Sequence, residues 1–200
     1  LRPRIIRSMP ERPSGPMITV RRARAADAAA LSHLAAETFR DAFADQNTAE
    51  DMAAHLAAHY SPPRQAAEIA DPASTVLLAE HTDERGTATL IGYAHVDSTQ
   101  APAVVTGSAP IELKRFYVAR AHHGAGVAHR LFDAVEAEAR RRGADALWLG
   151  VFTRNPRAIA FYEKRGLAVV GEQIFTVGTD PQRDWIMARA LAAPDAPSDP

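Results

Sequence analysis

At 200 residues, 46% apolar and 24% charged, the chain has the length of one domain with a core, and its composition argues against wholesale disorder. A formal net charge of −1 gives no electrostatic case for a nucleic-acid or membrane partner, and no apolar run approaches membrane-spanning length. Cysteine is absent, which excludes disulfides, thiolate nucleophiles and thiolate metal sites and is compatible with a reducing, cytoplasmic setting.

Residues 1–16 hold several arginines and prolines and no apolar h-region, so they are not a secretory signal and are expected to be a disordered extension. Met17-Ile-Thr-Val-Arg-Arg-Ala23 alternates as a strand, and Met17 is expected to be the native initiator or at least the start of order. Ala25 to Phe43 predicts a helix with Leu31, Leu34, Thr38 and Phe39 on one stripe, ended by Gln46-Asn47. Thr48-Ala-Glu-Asp51 is a capping-box-like opening for a second helix through Tyr60. Ser61-Pro-Pro63 caps a third from Arg64 to Ala70. Thr75–Glu80 and Thr89–Val96 read as a hairpin turning around Gly86. A loop of small residues and prolines, 98–110, leads to a strand at Ile111–Val118. Val127, Leu131 and Val135 then recur every four residues on a helix that stops at Gly143. Ala146–Phe152 is the next strand, parallel to the one ending at Val118 because a helix separates them. Asn155 as N-cap, Pro156 as first helical residue and Gly166 as C′ frame a short helix. Leu167–Thr176 and Trp185–Leu191 are two more strands, joined around Gly178-Thr-Asp-Pro181, and 192–200 is expected to be a disordered tail. There is no internal repeat or interdomain linker. This order is mixed α/β with one parallel crossover, not the regular alternation of a doubly wound sheet.

The informative turn is His123-Gly-Ala-Gly-Val-Ala128, between the Val118 strand and its helix. Glycines let backbone approach a ligand closely, and the first N–H groups of a helix are unpartnered at its positive end. Such a turn suits phosphate; it equally suits a tight connection with glycines for packing. A Walker loop would need Lys-Ser/Thr after Gly126, where Val127 and Ala128 stand. A dinucleotide fingerprint would need a third glycine where His129 stands.

The segment His123-x-x-Gly126-x-Ala128, with Val118 before it and Leu131-Phe132 after it, resembles the coenzyme A loop of the GNAT superfamily of acyl-CoA N-acyltransferases, with His123 in place of the usual Gln or Arg. A second stretch, Leu149-Gly-Val-Phe-Thr-Arg-Asn155-x-x-Ala158-x-x-Phe161-Tyr162, resembles the family's other signature, in which a Tyr follows seven residues after the Asn. The likeness covers about residues 17–191, taken as one N-acetyltransferase domain. It implies a mixed, mostly antiparallel central sheet, one parallel strand pair splayed to form the CoA slot, and helices on both faces.

It also implies acetyl transfer from acetyl-CoA to a primary amine of a small molecule or peptide, by direct attack in a ternary complex. The pyrophosphate would lie on Gly124, Ala125, Gly126, Val127 and Ala128, with His123 as a side-chain donor. The pantetheine arm would run along Phe116, Tyr117 and Val118 as an added strand and reach Asn155, the slot opening where the parallel pair splays after Val118 and Val151. Tyr162 is the motif-matched general acid; read from the residues alone it is a core tyrosine beside Phe161, and Asn155 is a helix cap. Glu112, placed by strand alternation on the face of Lys114 and Phe116, is the candidate base, or else an ion-paired strand-edge carboxylate; His95 is the second candidate. His55 and His59, one helical turn apart, lack the intervening Glu of a zinc motif and read as a helix surface or acceptor-pocket wall rather than a metal site. The helices between Ala25 and Ala70 and the strands near Trp185 are expected to shape the acceptor pocket. Homodimers are frequent among such proteins. The rival reading is a catalytically silent module of the same fold that binds acyl-CoA or a partner protein.

Overall fold

The computed structural model describes residues 17–44, 47–177 and 180–192. The expectations for 1–16, for most of the 192–200 tail and for the Gly178-Thr179 turn therefore lie outside the described residues. Seven strands form one sheet in the order β1 (Met17–Arg22), β2 (Ser74–Thr82), β3 (Ala88–Asp97), β4 (Pro110–Val118), β5 (Ala146–Phe152), β7 (Asp180–Ala190), β6 (Ala168–Val177). All neighbours are antiparallel except β4 and β5. The helices are α1 (Ala28–Phe43), α2 (Ala49–His59), α3 (Pro62–Ala70), α4 (Val127–Arg141) and α5 (Pro156–Lys164).

Alternation along the strands feeds two cores. On one face Leu77, Ala79, Ile91, Leu147 and Leu149 pack beneath Val127, Leu131, Phe132 and Val135 of α4 and Tyr162 of α5. On the other, Val76, Leu78 and Tyr93 meet Leu31, Leu34 and Phe39 of α1 and Met52 and Leu56 of α2. Each fully buried side chain contributes about 1.5–3 kcal/mol, so the apolar repeat read on α4 is what seats that helix on the sheet.

Local chemistry sets the helix starts. Thr48 accepts a hydrogen bond from the Asp51 amide, as its capping role requires. Ser61 occupies the next N-cap without such a bond, and α3 opens directly on Pro62 rather than Arg64. A short 3-10 turn at Ala25–Asp27 precedes α1, where Arg24 N–H donates to Asp27 and Arg21 forks onto the same carboxylate at 2.7 and 2.9 Å. The last strand starts at Asp180, not Trp185, because Gln182, Asp184 and Ile186 carry the buried alternation back along it.

The decisive irregularity lies in β4. His95 pairs with Arg115 and Val96 with Leu113, so Lys114 is an extra residue, a β-bulge. It reverses the alternation. Ile111 and Leu113 face the α4 core, and so do Phe116 and Val118, whereas Tyr117 faces α1. Glu112 therefore lies on the face of Arg115 and Tyr117, opposite Phe116, and not with it as plain alternation had placed it. The parallel pairing also ends early, at Glu112 opposite Trp148, while β5 stays paired to β7 as far as Phe152. The strands thus part well before Val118 and Val151, because the bulge turns β4 aside.

Helix α4 is clipped to the far side of the sheet by Glu138. This carboxylate, 5% exposed, accepts from Thr75 of β2 (2.8 Å), from Arg141, and from Arg22 of β1. Burial by itself would raise the Glu138 carboxyl, but hydrogen bonds from Arg141, Thr75 and Arg22 outweigh it and hold the group down at about 2. A depressed carboxyl stabilises the fold above the ordinary carboxylate range, and that contribution is lost as pH falls toward 2. Glu138→Gln is expected to cost ~1–3 kcal/mol at pH 7, with the gap to wild type closing as pH drops below 4.5 in urea denaturation.

Candidate active site

Two neighbouring features are built where β4 ends. The first is the turn. A short 3-10 segment, Arg120–His122, carries the chain from β4 to Gly124 and Gly126, both left-handed at φ +84° and +77°. A Cβ at either position would meet nothing within 4 Å, so the backbone conformation rather than crowding calls for glycine. Gly126 is the N-cap of α4, and no side chain caps that helix. Its first amides open onto an exposed surface at the positive end of a four-turn helix, which is the chemistry an anion needs.

His123 takes another role than the one expected. Its Nδ1 lies 2.9 Å from an Arg157 guanidinium nitrogen and its Nε2 lies 2.8 Å from the Val118 carbonyl. A guanidinium only donates, so Nδ1 accepts and Nε2–H donates to Val118. Both ring nitrogens are engaged. The side chain therefore ties the turn to β4 and to α5, while Arg157, passed over in the sequence, brings a fixed cation to the same place.

The second feature is the cleft left where β4 and β5 part, about 240 Å³. Glu112 to Tyr117 form one wall and Gly150, Val151 and Phe152 the other. Asn155, Ala158 and Tyr162 close one end; Ala42, Phe43, Gln173, Phe175, Gln182 and Asp184 close the opposite side. Val118 and residues 123–128 lie beyond it, at the turn. Beyond Glu112 the β4 edge facing β5 has no ladder partner, so its main-chain groups are available.

Asn155 caps α5 by accepting from the Ala158 amide at 3.1 Å. That cap fixes the helix so that Ala158 and Tyr162, three and seven residues on, share its cleft-facing side. Tyr162 is 7% exposed and packs its ring against Phe116, Phe132 and Phe161. Its hydroxyl has no hydrogen-bond partner among the described residues, and burial pushes the phenol up, so it is protonated at neutral pH. It is both a core residue and a cleft residue.

The Glu112 carboxylate accepts from Thr99 Oγ1 at 2.7 Å, and burial pushes it up. Arg115 is held by Glu68 of α3 at 2.6 Å and lies over the Tyr60 ring, and Lys114 is held by Asp97 at 3.1 Å. His95, the second candidate base, does not reach the cleft wall: it is 1% exposed and hydrogen-bonded to Ser74 at 2.6 Å. His55 stacks on Phe39 at 4.5 Å and meets Phe175 edge-on, so it backs the pocket wall from behind. Of the elements expected around an acceptor, α1 lines the cleft with Ala42 and Phe43 and the strand pair near Trp185 lines it with Gln173, Phe175, Gln182 and Asp184, whereas α2 and α3 are not on its wall. Asp184, Gln173 and Gly150 were not foreseen. Extending the Ile186 alternation back by one step would have put Asp184 on the buried face.

A family model described as the Acetyltransferase (GNAT) family matches residues 30–167. The chain belongs to the GNAT acetyltransferase family. It is an acyltransferase, and its sheet with one parallel pair is the GNAT architecture. An uncharacterized N-acetyltransferase of Mycobacterium bovis is 33% identical over 165 residues, covering 82% of this chain and 98% of that one. Another, from the pepI 3′ region of Lactobacillus delbrueckii subsp. lactis, is 32% identical over 155 residues, covering 78% and 87%. Among solved structures, the PaiA N-acetyltransferase of Thermoplasma acidophilum in complex with coenzyme A superposes with a TM-score of 0.67 at 21% identity, over 88% of this chain and 99% of that one. YncA from Salmonella typhimurium, solved with its cofactor acetyl-CoA, gives 0.58 at 23% identity, over 91% and 98%.

In this GNAT protein the left-handed Gly126 is the joint on which the open helix end depends. Gly126→Ala is expected to lower unfolding free energy by about 1–2 kcal/mol, the cost of a Cβ in left-handed backbone, with the far-ultraviolet spectrum unchanged.

Proposed function

We propose that the protein moves an acetyl group from acetyl-CoA to a primary amine of a small molecule or peptide, by direct attack within a ternary complex, and that residues 17–191 are the catalytic unit. The observation that carries this reading is the conjunction of an uncapped glycine turn with a parted strand pair that ends at a protonated, unpartnered phenol. Coenzyme A or acetyl-CoA in the structural neighbours supports the choice of co-substrate.

The amides of Gly124, Ala125, Gly126, Val127 and Ala128 hold the pyrophosphate, with Arg157 alongside and His123 fixing the turn. The free edge of β4 at Phe116, Tyr117 and Val118 hydrogen-bonds the pantetheine arm, and Asn155 adds a contact from α5. A main-chain N–H near Phe116 or Tyr117 polarises the thioester carbonyl. Amine attack needs no nucleophilic side chain, which suits a chain without cysteine. Glu112, its proton affinity raised by burial, takes the amine's proton directly or through water. Tyr162 supplies a proton to the departing thiolate.

Thiol release from acetyl-CoA across an amine panel tests the reading. Release with any amine supports it; tight binding in calorimetry without release on any amine reduces the protein to an acyl-CoA-binding module. Tyr162→Phe is expected to lower kcat roughly 10²-fold with little change in the calorimetric acetyl-CoA affinity. An unchanged kcat would return the residue to the core. A base with a raised carboxyl is inactive below its pKa, so kcat rises with pH through that value; Glu112→Gln is expected to abolish this rise.

A further inference from the structure

Four charged side chains line the cleft, and three are already answered. Glu112 has the Thr99 hydroxyl, Lys114 has Asp97 and Arg115 has Glu68. The fourth is Asp184. It stands on β7 opposite Phe152 of β5 and is 8% exposed. No hydrogen-bond donor among the described residues meets its carboxylate. Its Oδ2 is turned over the bare backbone of Gly150, where a Cβ would lie 3.4 Å away. That glycine is two residues past the last parallel pair, so the carboxylate sits at the mouth of the parting.

A carboxylate only 8% exposed and without a protein donor among the described residues is costly, and the access its oxygens keep is to the cleft they line. Burial pushes Asp184 up to about 6, which still leaves it ionised at neutral pH. The donor it lacks is one that a ligand brings. Around it the wall is apolar: Phe43 and Phe152 face each other at 6.3 Å, and Phe175 is braced by His55.

We propose that Asp184 binds the acceptor, receiving the ammonium head of a singly charged amine whose apolar body lies against Phe43, Phe152 and Phe175. The proposal rests on the acetyl-transfer reading above and narrows its substrate class. One unanswered anion accommodates one cation. An acceptor carrying its own carboxylate finds the cations of the cleft already paired and a bare anion facing it, which works against zwitterions. A long polycation finds, besides Asp184, only Glu112 among the described carboxylates of the wall, and that one is already held by the Thr99 hydroxyl. At transfer the amine nitrogen bonds to the acetyl carbonyl carbon as the carbon–sulfur bond breaks. Glu112 carries off one ammonium proton before attack, Tyr162 protonates the departing thiolate, the second N–H proton released as the amide forms restores the Tyr162 phenol, and Asp184 is ionised before and after.

The titratable groups sharing the cleft are Glu112, Lys114, Arg115 and Tyr117 from β4 and Tyr162 from α5; α1, β5 and β6 line it with none, and just after β5 the Arg154 guanidinium lies over the Phe152 ring at 5.1 Å. Below about pH 6 Asp184 takes up a proton and its hold on the ammonium lapses, so the amine KM rises in acid, separately from the kcat limb of Glu112.

The test uses the full chain at saturating acetyl-CoA with phenethylamine, phenylalanine and spermidine. Phenethylamine is expected to give the highest kcat/KM, by about tenfold over phenylalanine, which differs by one carboxylate. Asp184→Asn is expected to raise the phenethylamine KM about tenfold at pH 7.5, to leave kcat nearly unchanged and to erase the acid rise in KM. Gly150→Ala, which places a methyl group beside Asp184 Oδ2 and the movable end of Gln173, should raise the same KM.

A readout free of any acceptor accompanies these. A carboxyl raised on folding destabilises the fold above its folded pKa and not below its unfolded one. Asp184→Asn should therefore melt higher than wild type at pH 7.5 and alike near pH 4. An unchanged amine KM, a preference for phenylalanine or spermidine, no turnover of any of the three, or a lower melting temperature at pH 7.5 overturns the assignment. Failure of acetyl-CoA to bind at all, seen separately by calorimetry, removes the acetyl-transfer reading and this proposal with it.

Discussion

One extra residue in a strand governs the site. Lys114 has no counterpart on β3, and the bulge it makes turns β4 away from its parallel neighbour just after the last shared pair, Glu112 and Trp148. A sheet edge in the middle of a sheet is a liability in most folds, because its amides and carbonyls lack partners. Here β5 is secured on its other side by β7, and β4 by β3, so the gap is held open by the rest of the sheet rather than collapsing. The same bulge decides which side chains look into the gap. Without it Arg115 and Tyr117 would share a face with Ile111 and Leu113, in the α4 core.

The two halves of the site then follow from helix geometry. Helix α4 is seated by its apolar stripe and pinned by Glu138, so its uncapped end is delivered to the end of β4. Helix α5 is started by Asn155 and Pro156, which sets Tyr162 beneath the cleft two turns later. His123 links the two helix ends by accepting from Arg157 while holding the Val118 carbonyl. Glycine turn and phenol are thereby parts of one frame.

Charge is distributed with similar economy. The cations near the cleft are neutralised by Glu68 and Asp97 before any ligand arrives, and the buried tyrosines are kept protonated by desolvation. What remains open is a field of main-chain donors at the turn and a single carboxylate at the far wall. These ask for opposite ligands, an anion on one side and a cation on the other, which is the demand of a two-substrate acyl transfer.

Much of this was legible in the residues. The helix caps, the four-residue stripe of α4, the glycine turn, the Asn-to-Tyr spacing and the succession of elements along the chain are local patterns, and local patterns are written in neighbouring residues. What they could not reveal depends on pairing across the chain. A bulge is a mismatch between two strands, so nothing in Ile111–Val118 alone showed that Glu112 and Phe116 would part company. His123 was read as a free donor because Arg157 is distant in sequence and close only once α5 packs. Asp184 looked like a turn residue until β7 was seen to pair with β5 as far as Phe152. The chain by itself thus determined the elements and the family; the tertiary structure alone decided which face each β4 side chain takes and which carboxylate is left without a partner, because register and burial are properties of assembled strands.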